Sequence, residues 1–208
     1  MSEDITDKSA RQLFGDGQLA TTTREKLLDR AMDLFYTYGI HTVGIDRILK
    51  DVGVTKTTFY NHFESKDELT CEVLRRRHAW EFEWFMTAVN EISEGEPRST
   101  LLAVFDVLHK WFTDPDFRGC QFINAAAEFP SPTDPVHQEA ARHKLATQRL
   151  LCDTSKAAGV ADPEELSAQL MVLFEGAITL RQVTGNDQAS ATARKVAEIL
   201  VNQAIAAD

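Results

Sequence analysis

The stretch VGVTKTTFYNHFESKDEL, residues 52–69, decides how this chain is read. It is too polar and too short to be core. The residues just before it, Ile45, Ile48 and Leu49, are spaced to share one face of a short helix over 44–51. Gly53 takes the left-handed conformation that closes that helix in a tight turn. Thr55 caps a second short helix over 56–62. Val54 and Phe59 turn toward the core. Thr55, Lys56, Thr57, Thr58, Tyr60, Asn61 and His62 are left facing largely outward. Two short helices about a glycine turn form the helix-turn-helix pattern, whose second helix lies in a DNA major groove. Threonine methyls suit thymine, asparagine suits adenine, and lysine suits guanine or phosphate. The same turn also joins amphipathic helices that bind no nucleic acid, so composition alone leaves both readings open.

The net charge of −10 over 208 residues argues against a nucleic-acid binder only as an average. From Arg47 to Lys66, four basic residues stand against Asp51 and Glu64, a local +2. From Cys71 onward, 13 basic residues stand against 20 acidic ones, a local −7. An acidic protein can present one basic footprint to phosphate. No apolar run reaches the length of a membrane span and no signal peptide opens the chain. Cys71, Cys120 and Cys152 are odd in number and far apart. They read as small core residues of a cytoplasmic protein, with neither a disulfide framework nor a zinc site.

The rest of the chain reads as helix, so the expected class is all-α. Residues 1–20 carry no periodic pattern and are expected to form an arm. Thr22 and Glu25 make a capping box that opens a helix ending at Gly39. Ser65 and Glu68 make a second one, opening a long helix that runs to Gly95. Further helices fit 97–112, 120–128, 135–158, 163–184 and 188–206. The expected division is a DNA-binding domain over 21–67 and a second helical domain over 68–208.

The run TVGIDRILKDVGVTKTTFYNHFESKDEL, residues 42–69, resembles the DNA-binding domain of the tetracycline-repressor (TetR) family of transcriptional regulators. The upstream helix ending in YTYGIHTV fits as well, so the likeness covers about residues 22–72. Leu49 departs from the family, which more often has alanine there. Lys56-Thr57-Thr58 departs too, where many members carry a small residue or glycine; that alters which bases are read. Carried over position by position, the resemblance implies that Thr42 and Gly44 meet the phosphate backbone. It implies that Thr55, Lys56, Thr57 and Asn61 reach base edges or adjacent phosphates. Tyr60, His62 and Lys66 become phosphate ligands, Lys66 aided by a helix N-terminus. The partner that the resemblance implies is double-stranded DNA carrying a palindromic operator.

The resemblance also implies a C-terminal ligand-binding and dimerisation domain, whose residues must be read from physics. The segment LMVLF, residues 170–174, is apolar on consecutive positions, as in a helix buried on all sides. The last helix carries a broad apolar stripe. Together they suggest a four-helix interface between two copies, with Leu170, Met171, Phe174, Val196 and Leu200 in it. The alternative is a monomer with a broad internal core. Aromatic residues crowd the middle helices, interleaved with polar ones, which is the general form of a small-molecule pocket. The candidates are Trp84, Phe105, His109, Phe122, Asn124, Glu128, Phe174 and Arg181. The segment FRGCQFINAAAEFP, residues 117–130, is similar to one in some family members. Its Glu128 caps or pairs with Arg142, or meets a ligand.

Three functions follow. The first is a repressor released from its operator by a small-molecule effector. The second is a DNA-binding dimer with no effector, controlled by a protein partner or by abundance. The third is an enzyme on a helical bundle, for which the motifs are missing: one Asp-x-x-His pair, Asp106 and His109, falls far short of a di-iron site. No phosphate loop or nucleophile motif is present. No cofactor, no metal and no membrane are expected.

Overall fold

The computed structural model describes residues 20–206, and all regular structure among them is helical. The expected arm over 1–20 lies, apart from Ala20, outside the described residues. The helices are α1 (Thr23–Tyr38), α2 (Ile45–Val52), α3 (Lys56–Tyr60), α4 (Lys66–Ser93), α5 (Pro97–Phe112), α6 (Gln121–Glu128), α7 (Pro135–Ala157), α8 (Pro163–Thr184) and α9 (Ala189–Ala206).

Most of the helices start where a side chain meets their first backbone amides; α2 and α6, entered at Gly44 and Cys120, do not. The Thr22 side chain accepts from Glu25 N–H, and the Glu25 carboxylate reaches back to Thr22 N–H at 2.9 Å. Backbone hydrogen bonds from Thr22 and Thr21, and the threonine hydroxyls behind them, hold the Glu25 carboxyl at a pKa of about 2. Ser65 Oγ accepts from Glu68 N–H at 3.0 Å, while the Glu68 carboxylate takes Glu64 N–H. Pro97 and Pro163 occupy first-turn positions that need no N–H, capped by the carboxylates of Glu96 and Asp162. At Gly53, φ is 79° and ψ is 36°, and its N–H returns to Leu49 O. That conformation is costly for a side chain bearing Cβ, so glycine fixes the α2–α3 turn.

The chain forms two compact units. One comprises residues 20–81 with 120–143, the other residues 82–119 with 144–206. The first is built on α1, whose Leu27, Leu28, Ala31, Leu34 and Phe35 are buried. Ile48, Leu49, Phe59, Phe63 and Leu69 complete this core, while Ile45 and Val54 are half-buried. Residues 120–143 belong to the same unit, where Phe122 stacks on His143 at 3.6 Å and His143 Nδ1 lies 3.0 Å from His78 Nδ1. Burial pushes the His78 pKa down. Glu139, itself buried, holds both Arg75 and Arg142, so Arg142 pairs within its own helix and not with Glu128.

In the second unit, α5 supplies Leu101, Ala103, Val104, Phe105, Val107, Leu108, Trp111 and Phe112. The Phe174 ring on α8 meets Phe105 and Phe85 edge-on at 6.3 and 5.8 Å. Helix α9 packs on α5 and α8 through Ala189, Ala193, Ala197 and Val201. Cys71 and Cys120 are buried and Cys152 is half-buried; all three are free thiols. No described helix is long and apolar enough to cross a membrane.

Candidate nucleic-acid interface

Helix α3 and its flanks present a polar surface on the first unit. Phe59 on this short helix is fully buried, while Lys56, Thr57 and Tyr60 beside it are exposed. A helix this short is not self-supporting, so the Phe59 anchor sets which face it presents. Thr55 Oγ1 accepts from Thr58 N–H at 3.2 Å and also contacts the Thr58 hydroxyl at 2.9 Å. Thr58 is therefore half-buried and partly engaged, not fully outward as the sequence suggests. Asn61 and His62 follow the helix and are exposed, as are Thr42 and Gly44 at the entry to α2.

Two of the expected contacts are already engaged. Lys56 Nζ lies 2.9 Å from Asp46 Oδ1 on α2, an exposed pair that pushes the Lys56 pKa up. Lys66 turns away from the exposed surface and donates to Ile40 O at 2.6 Å. It is half-buried, and desolvation pulls its pKa down. In the chain without DNA, Lys66 thus spends a donor on a backbone tie at the α1–α2 turn. Arg47 stacks over the Tyr38 ring, its guanidinium carbon 4.1 Å from the centroid.

The Lys56–Asp46 pair yields an expected result. Asp46→Asn removes a carboxylate beside a lysine that must otherwise exchange it for phosphate. Operator affinity should rise about two- to fivefold, the range of an exposed ion pair. Fluorescence anisotropy on parent and variant checks it; unchanged affinity would place Lys56 outside the contact surface.

Residues 27–73 match the model described as bacterial regulatory proteins of the tetR family. Residues 97–197 match the tetracyclin repressor-like C-terminal domain. The chain belongs to the TetR family. It is accordingly a DNA-binding helix-turn-helix regulator of transcription. Among its relatives is the transcriptional regulator YjdC of Escherichia coli K12, 25% identical over 177 residues, covering 84% of this chain and 91% of that protein. The transcriptional activator FasR of Mycolicibacterium smegmatis is 32% identical over 127 residues, covering 60% of this chain and 53% of that protein. The transcriptional repressor NemR of Escherichia coli K12 is 29% identical over 107 residues, covering 51% and 53%. A TetR-family regulator from Streptomyces coelicolor superposes with a TM-score of 0.77 at 29% identity, covering 88% of this chain and 95% of its own.

The eight residues expected to line a pocket do not fall in one unit. Trp84, Phe105, His109, Phe174 and Arg181 belong to the second, and Phe122, Asn124 and Glu128 to the first. Phe105 and Phe174 meet, and Trp84 joins them through Phe85. His109 is exposed, its Nδ1 3.3 Å from the Ser190 hydroxyl. Arg181 donates from Nε to Phe112 O at 3.0 Å and lies over Phe117, so it braces the end of α5. Phe122 is fully buried against His143. The Glu128 carboxylate is taken up by backbone amides of the α1–α2 turn. Gln121, one of the polar residues interleaved among the aromatic ones, is buried with its carboxamide unmet. Gln121 is only 4% exposed, and neither its Oε1 nor its Nε2 has a hydrogen-bond partner among the described residues. An unsatisfied buried carboxamide is costly unless water or a ligand meets it.

The TetR interface residues read from α8 also need correction. Leu170 and Phe174 are buried in the unit's own core. They lie one turn apart on the same face, which points inward. Met171 and Leu200 are half-buried, and Val196 is exposed. The outward face of α8 carries Val172, 73% exposed, Leu180, and Val183, 77% exposed, with Gly176 between them. On α9, Val196 and Ile199 are the exposed large apolar residues. Among the described residues, no group of His, Cys, Asp or Glu has the makings of a metal site.

Proposed function

We propose that this regulator is a cytoplasmic homodimeric repressor that binds a palindromic operator and leaves it when a small-molecule effector binds. The observation that carries the dimer is the apolar stripe Val172–Leu180–Val183, alongside Val196 and Ile199. Isolated apolar residues on a surface are ordinary, but a stripe of this kind along one helix face favours a partner. A twofold axis through it would duplicate the recognition helix, matching an inverted repeat. The unpartnered amide of Gln121 supports a ligand with hydrogen-bonding groups of its own. NemR is named a repressor and FasR an activator, so the sense of regulation is read from transcription at the selected operator with and without the protein, where repression is expected.

Release requires that effector and operator favour different conformations, and linkage makes their antagonism mutual. The test begins with selection of bound duplexes from a random library, where an inverted repeat is expected. Metabolite and drug-like compounds are then screened for binding to free protein, and hits are titrated into free and operator-bound protein. Weaker binding to the complex is expected. Equal affinities would remove the release mechanism, and no effector at all, with water on Gln121, would favour a dimer controlled by a partner or by abundance.

A further inference from the structure

The α1–α2 turn, Gly39 to Gly44, is held from outside by two side chains that are remote in sequence. Glu128 at the end of α6 accepts Ile40 N–H on Oε1 at 2.8 Å and His41 N–H on Oε2 at 2.5 Å. His41 Nδ1 lies 3.1 Å from the same Oε2, and its ring stacks on Phe129 at 4.7 Å. From the other side, Lys66 at the start of α4 donates to Ile40 O. Ile40 itself is buried. Gly39 is part of the fit: a Cβ there would lie 3.2 Å from Glu128 Oε1, at a φ of +83°.

What makes this grip more than packing is the residue that ends the turn. Gly44 is the N-cap of α2 and gives it no side-chain hydrogen bond. Most helices here are oriented at entry by a cap of their own; α2 is not. Its entry is set by the backbone of residues 40 and 41, which Glu128 holds with two charge-assisted hydrogen bonds. Thr42 and Gly44, the expected phosphate contacts, sit immediately after those amides, and Asp46, which holds Lys56, lies in the first turn of α2.

We propose that Glu128 is a positioning residue for DNA binding: its carboxylate clasps the α1–α2 turn and sets the placement of α2, and so of the phosphate contacts that α2 and its entry present. It touches no DNA itself. The proposal rests on DNA binding alone and not on any effector.

The test uses the full chain and the duplex that the parent enriches from a random library. Glu128→Gln keeps the shape but offers a single acceptor oxygen to two amides. The expected result is a Kd higher by about tenfold, the effect of reducing the competent fraction to about a tenth. Faster hydrogen exchange at Ile40 and His41 should accompany it, with helicity unchanged. Glu128→Asp, which keeps the charge, should recover part of the loss. A role in stability alone would lower the melting temperature and leave the Kd of the folded protein where it was. That result, with exchange at the two amides accelerated, overturns the proposal. A second measurement needs no variant: in the parent, the Ile40 and His41 amides should stay protected in the duplex complex, and loss of that protection on binding would equally overturn it.

Discussion

Replacing Leu180 and Val183 together by arginine is expected to give a folded monomer that has lost operator binding. Both side chains project from α8 into solvent in the single chain, so the subunit's own core is untouched. If this face meets a second copy, each substitution acts twice across the twofold axis. Every lost apolar side chain removes about 1.5–3 kcal/mol of burial, before the cost of an unpaired guanidinium in an apolar contact. The dimer should therefore weaken by at least about a thousandfold. Two linked half-site contacts then become two separate ones, a loss of about a hundred- to ten-thousandfold in apparent affinity. Sedimentation at micromolar concentration, with anisotropy on the selected duplex, reads both effects. Leu170→Arg is the contrast: it places charge in the subunit core and should abolish folding instead. A double arginine variant that still sediments as a dimer would mean that some other face pairs the copies.

Phe59→Ala should abolish DNA binding by a different route. The ring is fully buried and contacts Phe63 at 5.6 Å and Tyr60 edge-on at 5.3 Å. Emptying such a site costs about 3–5 kcal/mol, a large share of a typical domain's stability of about 5–15 kcal/mol. Helix α3 has five residues and no other fully buried side chain, so it has no independent reason to persist. The variant should keep its dimer and lose the selected duplex. Exchange protection should fall first at residues 55–63. Retention of operator affinity within twofold would mean that α3 is held by something other than its phenylalanine.

The helices were legible in the sequence because their ends are local events. Thr22 with Glu25, Gly53, Pro97 and Pro163 each mark a terminus within a residue or two of where it falls. The inward face of α3 was legible too, since one phenylalanine decides it, but Thr58, expected outward, turned out half-buried against Thr55. The long-range assignments were not. Lys66 reaches a carbonyl 26 residues away, and Glu128 reaches amides 88 and 87 residues away. A lysine beside a recognition helix and a glutamate in an apolar segment carry no sign of such partners. The run at 170–174 hid its orientation because apolar residues on every position erase the periodicity that would show a face. The stripe at 172, 176, 180 and 183 emerges only when the window is widened past Gly176. Gln121 stood in the sequence among several polar neighbours, and only its burial without a partner sets it apart.

The tie between Lys66 and Ile40 O bears on how steeply operator binding will respond to ionic strength. Neutralising a phosphate by a free cation releases a condensed counterion, and log K falls with log salt by about 0.9 for each one. Counting Arg47, Lys50, Lys56 and Lys66 in each of two subunits would give a slope near about −7. Lys66 is committed to a carbonyl, and Lys56 must leave Asp46, which then gathers a cation of its own from solution. Arg47 and Lys50 are the other two, exposed on α2 though outside the expected contact set; with both at phosphate, a dimer should show a slope of about −4, measured by anisotropy across a salt series. With so few cations in play, uncharged donors such as Thr57, Tyr60 and Asn61 are expected to carry a larger share of the grip, which should persist at salt concentrations that strip more basic regulators from DNA.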